Sequence, residues 1–209
     1  MQHGGSFGTG RVGADFKAPT MQHSHFYSPR QKGSVEVICG PMFSGKSTEI
    51  MRRLSLARIA KRYVQAFKPA LDDRYAVDDM VTHTKAVYPA SAVQKAADIL
   101  VKMKTDTQVV GIDEAQFFDG ELPKVVDTLA ERGLRVVVAG LDQDYLGQPF
   151  GTMPQLLAMA EHVTKLTAIC MTCGEPASRS FKLHGSADQV EVGAKQYEAR
   201  CREHARYES

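Results

Sequence analysis

The chain has 209 residues, 43% of them hydrophobic and 24% charged, and a formal net charge of +2; this suits one packed domain with a small appendage and excludes a disordered or fibrous chain. A charge so close to zero excludes recognition of nucleic acid or an anionic membrane through a bulk basic field, so a substrate must be read locally. No run approaches the roughly 20 apolar residues of a membrane span, the N-terminus lacks the apolar core of a secretory signal, and four cysteines are too few for a disulfide scaffold; the expectation is a cytoplasmic protein whose paired cysteines hold a metal.

Residues 1–33 carry scattered Gly, His and Pro without apolar periodicity and read as a disordered leader. From Val35 the pattern is a strand over 35–39, a helix over 46–61 and a strand over 63–67 stopped by Pro69, the start of a βαβ unit. Residues 109–113 and 135–141 are short, continuously apolar, β-branched runs, as expected of strands covered on both faces of a parallel sheet. The segments 92–103 and 122–132 place apolar residues three and four apart and read as covering helices, the second closed by Gly133. Residues 163–169 read as one further strand, followed by a Cys, Gly and Pro-rich stretch up to His204. The expected division is a leader at 1–33, an α/β domain at 34–165 and a small metal-binding lobe at 166–209. Arg52, Arg53, Arg58, Lys61 and Arg62 crowd the first helix and read as a solvated face rather than a polyanion site.

Gly40-Pro41-Met42-Phe43-Ser44-Gly45-Lys46-Ser47 matches G-x-x-x-x-G-K-[ST] between an apolar strand and a helix, the context that makes this motif a phosphate cradle. Its glycines let backbone N–H groups curl around a phosphate, the helix N-terminus adds positive potential, Lys46 reaches the β and γ oxygens, and Ser47 is a Mg²⁺ ligand. The run ending at Asp113-Glu114 delivers carboxylates to the C-terminal edge of a strand, where open α/β sheets bind ligands. Asp113 suits Mg²⁺, and Glu114 suits a base that takes a proton from the group attacking the γ-phosphate. Cys170-x-x-Cys173 and Cys201-x-x-His204 form two pairs around residues 174–200, the donor set of a closed structural Zn²⁺ site that pins both ends of that loop. Cys39 reads as a small buried hydrophobe.

The cradle, Asp113-Glu114-Ala115-Gln116-Phe117-Phe118, Asp72-Asp73-Arg74-Tyr75, Gly140-Leu141-Asp142, Pro149-Phe150-Gly151 and the four-ligand knuckle occur in the order found in type II, zinc-containing thymidine kinases, and the resemblance spans residues 34–204. It implies a P-loop-type, mainly parallel sheet flanked by helices, with a C-terminal zinc lobe carrying a lasso loop. It further implies transfer of the γ-phosphate of ATP to the 5′-hydroxyl of thymidine, and of deoxyuridine, for DNA precursor synthesis. In that reading Glu114 is the base, while residues 40–47, Asp72, Arg74, Asp113 and Gln116 serve ATP and Mg²⁺. The lasso, 174–200, holds the base largely through backbone groups. Around it stand Met42, Phe117, Leu141, Tyr145 and Tyr197, with Ser180 near the base methyl and Val190, Val192 and Gly193 in the loop. The resemblance also implies a homotetramer inhibited by dTTP, with no nucleic-acid or membrane partner. Ser180 stands where relatives mostly carry Thr, Tyr145 where Phe is common, and the 192–197 segment is one residue tighter than in many of them, differences that bear on substrate preference. Two rival readings remain: a P-loop ATPase whose zinc lobe binds nucleic acid, with Glu114 activating water, and a nucleotide-binding regulator without catalysis. The absence of a basic and aromatic platform weighs against the first, and the set Lys46, Asp113 and Glu114 against the second.

Overall fold

Strand β1 (Ser34–Cys39) is buried along its whole length and opens a computed structural model that describes Met1 and residues 33–70, 79–81, 87–183 and 196–206, with only the backbone of 79–81 and 87. After it come α1 (Lys46–Ile59), β2 (Val64–Pro69), β3 (Asp79–Val81), β4 (Val87–Pro89), β5 (Ser91–Val93), α2 (Ala97–Lys102) and β6 (Val109–Ile112). A 3-10 turn, Ala115–Phe117, leads to α3 (Leu122–Glu131), β7 (Arg135–Gly140), α4 (Met153–Met159) and β8 (His162–Lys165). The chain then makes four short strands, β9 (Ala168–Ile169), β10 (Pro176–Ala177), β11 (Arg179–Lys182) and β12 (Tyr197–Arg200). Gln31–Ser209 forms one unit; Met1–Arg30 is a unit apart, and of it only Met1 is described.

The main sheet has the order β5-β2-β6-β7-β1-β8, and every pairing in it is parallel. Parallel neighbours require crossovers, and the helices supply them while covering both faces. Strand alternation sorts the side chains. Val136 and Val138 of β7 join Val35, Val37, Val110 and Ile112 in a core with Ile99 of α2, Leu122, Val125 and Leu129 of α3, and Met153 and Leu156 of α4. Val137 and Ala139 turn the other way, with Ile38 and Ala66, against Ile50, Met51, Leu54 and Ala57 of α1. A Cβ on Gly111 would stand 2.5 Å from Leu54 Cδ1, so the missing side chain lets α1 lie close to β6.

Three expectations are corrected. The segment 92–103 is not one helix: Ser91–Val93 is a strand pairing with Phe67–Pro69 at the sheet edge, and the helix begins only at Ala97. Its three-and-four spacing is shared by a short strand leading into a short helix, and long-range pairing decided between them. The segment 163–169 is two strands, because β8 follows β1 in the main sheet whereas β9 pairs with β10 in the C-terminal lobe. Finally, the basic helix face is not wholly solvated. Arg53 is buried, donating to Glu36 Oε2 at 2.9 Å, Glu49 Oε1 at 2.8 Å and Thr164 Oγ1 at 2.8 Å, and Arg58 lies over the Tyr88 ring at 4.5 Å. Arg135 completes the cluster with two bonds to Glu36, at 2.6 and 3.0 Å. Burial alone would raise the Glu36 carboxyl; the Arg135 and Arg53 guanidiniums outweigh it and hold it below the ordinary value. Helix α4 was not anticipated, although Pro154 in its first turn and buried Leu156 are helix signals.

Candidate active site

The glycine loop leaves β1 through backbone conformations that side chains resist. Gly40 has φ 140°, and a Cβ there would collide with the Leu166 carbonyl oxygen; Gly45 has φ 86° at the N-terminus of α1. Phe43, at φ 65°, is the loop residue that adopts the left-handed region without being glycine. No side chain caps α1, so the first-turn N–H groups keep their potential for an anion. Lys46, in the first turn of α1, is buried and donates from Nζ to the Pro41 carbonyl at 2.8 Å. Burial pushes its ammonium down from the usual lysine value, and Glu114, Asp113 and Asp142 work in the opposite direction. Lys46 is thus held between its own loop and three carboxylates, in reach of the charge it would neutralise.

Strand β6, two places from β1 in the sheet, delivers those acids. Asp113 is buried, accepts the Glu114 N–H at 3.0 Å and takes a hydrogen bond from the Ser47 hydroxyl. Burial, with the neighbouring Glu114 carboxylate adding to it, pushes Asp113 up to about 7. A carboxyl raised this far, hydrogen-bonded to the first-turn serine of the cradle, has the donor set and the electrostatic deficit that fit Mg²⁺. Glu114 sits at φ 53°, ψ 41°, a left-handed conformation uncommon for a residue with a side chain and characteristic of functional turns. Its Oε2 accepts the Gln116 amide at 2.6 Å, and Gln116 Oε1 accepts the Leu141 N–H at 2.9 Å. Asp142, following Leu141, is buried and paired with Lys165 at 2.7 Å. It joins the acids around Lys46, a neighbour that the Gly140-Leu141-Asp142 run could have signalled by its place at a strand end.

The residues expected around a base are partly brought together. Met42 donates its backbone N–H to Ser180 Oγ at 3.0 Å, and Ser180 is itself buried. Tyr197 pairs across the β11–β12 ladder with Lys182, whose ammonium lies 5.0 Å from the Tyr145 ring centroid. Phe117 meets Phe150 edge to face at 5.6 Å, and Leu141 is tied to the Glu114 turn through Gln116. Asp72, Arg74, Val190, Val192 and Gly193 lie outside the described residues, as do residues 184–195 of the proposed lasso.

The knuckle closes as its spacing implies. Ligand atoms of Cys170, Cys173, Cys201 and His204 lie within 4.8 Å of one another. A tetrahedron with Zn–S bonds of about 2.3 Å has edges of about 3.8 Å; the Cys173–Cys201 sulfurs are 3.8 Å apart, and Cys170 Sγ is 3.8 Å from His204 Nδ1. Burial disfavours ionising Cys170, but N–H groups of Cys201, Thr172 and Cys173 prevail and bring it down to about 6. Cys173 has the Glu175 N–H in its favour, yet burial and the adjacent sulfurs push it up to about 11. Sulfurs that compete for ionisation in this way fit a cation placed among them. The need for one is visible in the packing: the buried cluster of the lobe is Ala168, Cys170, Ala177 and Ala199 with Cys201 against it, too little apolar surface to hold such short strands. Cys39, by contrast, is buried and pushed up to about 11 by desolvation, as an inert core thiol should be.

Among the described residues no helix is long and apolar enough to cross a membrane. Among solved structures, the chain is similar to the Legionella pneumophila ATPase DotB at 15% identity and a TM-score of 0.37, over 62% of this chain and 35% of that one. The chain therefore spans about a third of that protein's length, a likeness too remote to bear on chemistry. The family model described as "Thymidine kinase" matches residues 33–205, from the strand before the cradle to just beyond the last knuckle ligand. The chain belongs to the thymidine kinase family.

Proposed function

We propose that this protein transfers the γ-phosphate of ATP to the 5′-hydroxyl of thymidine, and also of deoxyuridine, as a zinc-containing type II enzyme of its family. The observation that carries the reading is the convergence of Lys46, Asp113 and Glu114 at the C-terminal edge of the sheet, within a chain of that family. The cradle N–H groups and Lys46 hold the β and γ phosphate oxygens and neutralise the charge that spreads over them during transfer. Ser47 and Asp113 would hold Mg²⁺, which would supply counter-charge to the phosphates. Asp72 and Arg74 assist there. Glu114 accepts the proton from the 5′-hydroxyl as its oxygen attacks phosphorus, the γ-phosphate leaves ADP, and thymidine becomes dTMP. Alignment of that hydroxyl by Met42, Phe117, Leu141, Tyr145, Ser180, Tyr197 and the lasso residues Val190, Val192 and Gly193 can lower the barrier by up to about 7 to 11 kcal/mol.

Zn²⁺ at Cys170, Cys173, Cys201 and His204 has a structural task, since four protein ligands leave no open position for substrate or water. The same reading places the protein in the cytoplasm as a homotetramer inhibited by dTTP, serving nucleoside salvage and DNA synthesis. The domain division proposed is a leader at 1–33, a phosphate-binding α/β domain at 34–165 and the lobe at 166–209. The test is phosphate transfer from radiolabelled ATP offered thymidine, deoxyuridine, deoxycytidine, single-stranded DNA or no acceptor. Label in dTMP supports the kinase. Phosphate release that is indifferent to nucleoside and stimulated by DNA would favour the ATPase reading, and no turnover at all the regulator.

A further inference from the structure

We propose that Gln116 is the positioning residue for the Glu114 carboxylate, fixing which of its oxygens faces the incoming hydroxyl; the inference rests on the reading of Glu114 as the base. Gln116 Nε2 donates to Glu114 Oε2 at 2.6 Å, while its Oε1 accepts the Leu141 N–H at 2.9 Å. The two partners determine the amide orientation, because a peptide N–H only donates and a carboxylate only accepts. One side chain thereby ties the end of β6 to the end of β7. Gln116 thus holds Glu114 Oε2, and the other oxygen, which has no donor among the described residues, is assigned to the proton.

The surroundings are shaped to this side chain. Gln116 is 3% exposed. A Cβ on Gly140 would stand 2.8 Å from Gln116 Oε1, and one on Gly151, whose φ is 53°, would collide with the Gln116 carbonyl. Two separate segments therefore give up their side chains where Gln116 lies. The strained turn at Glu114 is closed by the Phe117 N–H donating to the Glu114 carbonyl at 3.0 Å, so residues 114–117 form one hydrogen-bonded turn. An amide suits the task better than Lys or Arg, since it orients a carboxylate without neutralising the charge that makes it a base.

The test is a kinetic cycle on the full chain. Gln116→Leu is expected to lower kcat about 10- to 100-fold while the KM for thymidine and for ATP each move less than about threefold, since only an interaction used in the transition state is removed. In a Glu114→Gln background the same change should cost less than about threefold, because a residue acting through Glu114 has nothing left to position. If Gln116→Leu does not fold, Gln116→Met, close to it in length and without an amide donor or a charge, replaces it and should reproduce the fall in kcat. Near-normal turnover of a folded Gln116 variant, a large rise in either KM with kcat unchanged, or a full multiplicative penalty in the Glu114→Gln background overturns the proposal. Retained turnover in Glu114→Gln alone removes Glu114 as the base and the positioning role with it, whereas a dead Glu114→Gln beside an active Gln116→Leu removes the positioning role only.

Discussion

The hydroxyl of Ser180 accepts the backbone N–H of Met42 at 3.0 Å, so a strand of the knuckle-bearing lobe is hydrogen-bonded to the phosphate loop. The contact joins residues 138 apart in sequence. It gives the lobe a direct hold on the loop proposed to cradle phosphate. Ser180→Ala leaves the Met42 N–H without this acceptor, a loss of about 1 to 3 kcal/mol if the site stays dry. Affinity for ATP, measured by calorimetry, should fall several-fold, and Ser180→Thr should restore it because the hydroxyl returns. An unchanged affinity in the alanine variant would show that the loop keeps its shape unaided.

Removing zinc should loosen the lobe and leave the sheet. Cys170→Ser, or prolonged chelation, is expected to empty the site by elemental analysis and to open residues 166–206 to limited proteolysis. Secondary structure of the α/β core should persist in far-UV circular dichroism, because its two apolar layers are built independently of the knuckle. Full zinc occupancy in the Cys170→Ser variant would contradict the ligand assignment.

The cradle and the base should separate kinetically. Lys46→Ala is expected to weaken nucleotide binding and to abolish turnover together, since Lys46 serves the phosphates in both ground and transition states. Glu114→Gln should bind ATP normally and lose about 100-fold or more in kcat, as expected for removal of a general base. Comparing nucleotide affinity with single-turnover rate in each variant decides the point, and identical behaviour of the two would contradict the division of roles.

The buried Glu36 cluster predicts a pH-dependent loss of stability. Its folded-state pKa is held below the ordinary 4.5 against burial by Arg135 and Arg53. The sign follows: the stabilisation is present in full above about 4.5 and is lost as pH falls through the lowered folded value. Glu36→Gln should cost roughly 1 to 3 kcal/mol in urea unfolding at pH 7, because Arg135 and Arg53 then face a neutral side chain there while Arg53 keeps Glu49. The gap between variant and parent should narrow as the pH drops below 4. A constant gap across that range would mean that the cluster acts through shape rather than charge.

The glycine loop, the strands at β1, β6 and β7, helix α1 and the Cys and His cluster were readable in the sequence because each is written in neighbouring residues. Strands buried on both faces are runs of Val and Ile, the cradle is a contiguous octapeptide, and the knuckle declares itself through paired ligands at short spacing. Ambiguity entered where a short segment fitted two structures, as at 92–103 and 163–169, and its pairing partner lay elsewhere in the chain.

From the order of its residues alone, this chain determined that a glycine loop would follow its first strand, that acids would end the strand at 109–112, and that four ligands would close a knuckle. The tertiary structure decided that Arg53 is buried against Glu36, that Gln116 spans from Glu114 to Leu141, and that Ser180 meets Met42. Those contacts join side chains to groups brought near only by the parallel sheet and its crossovers, and a one-dimensional pattern carries no signal for a hydrogen bond whose geometry the packing of distant strands creates.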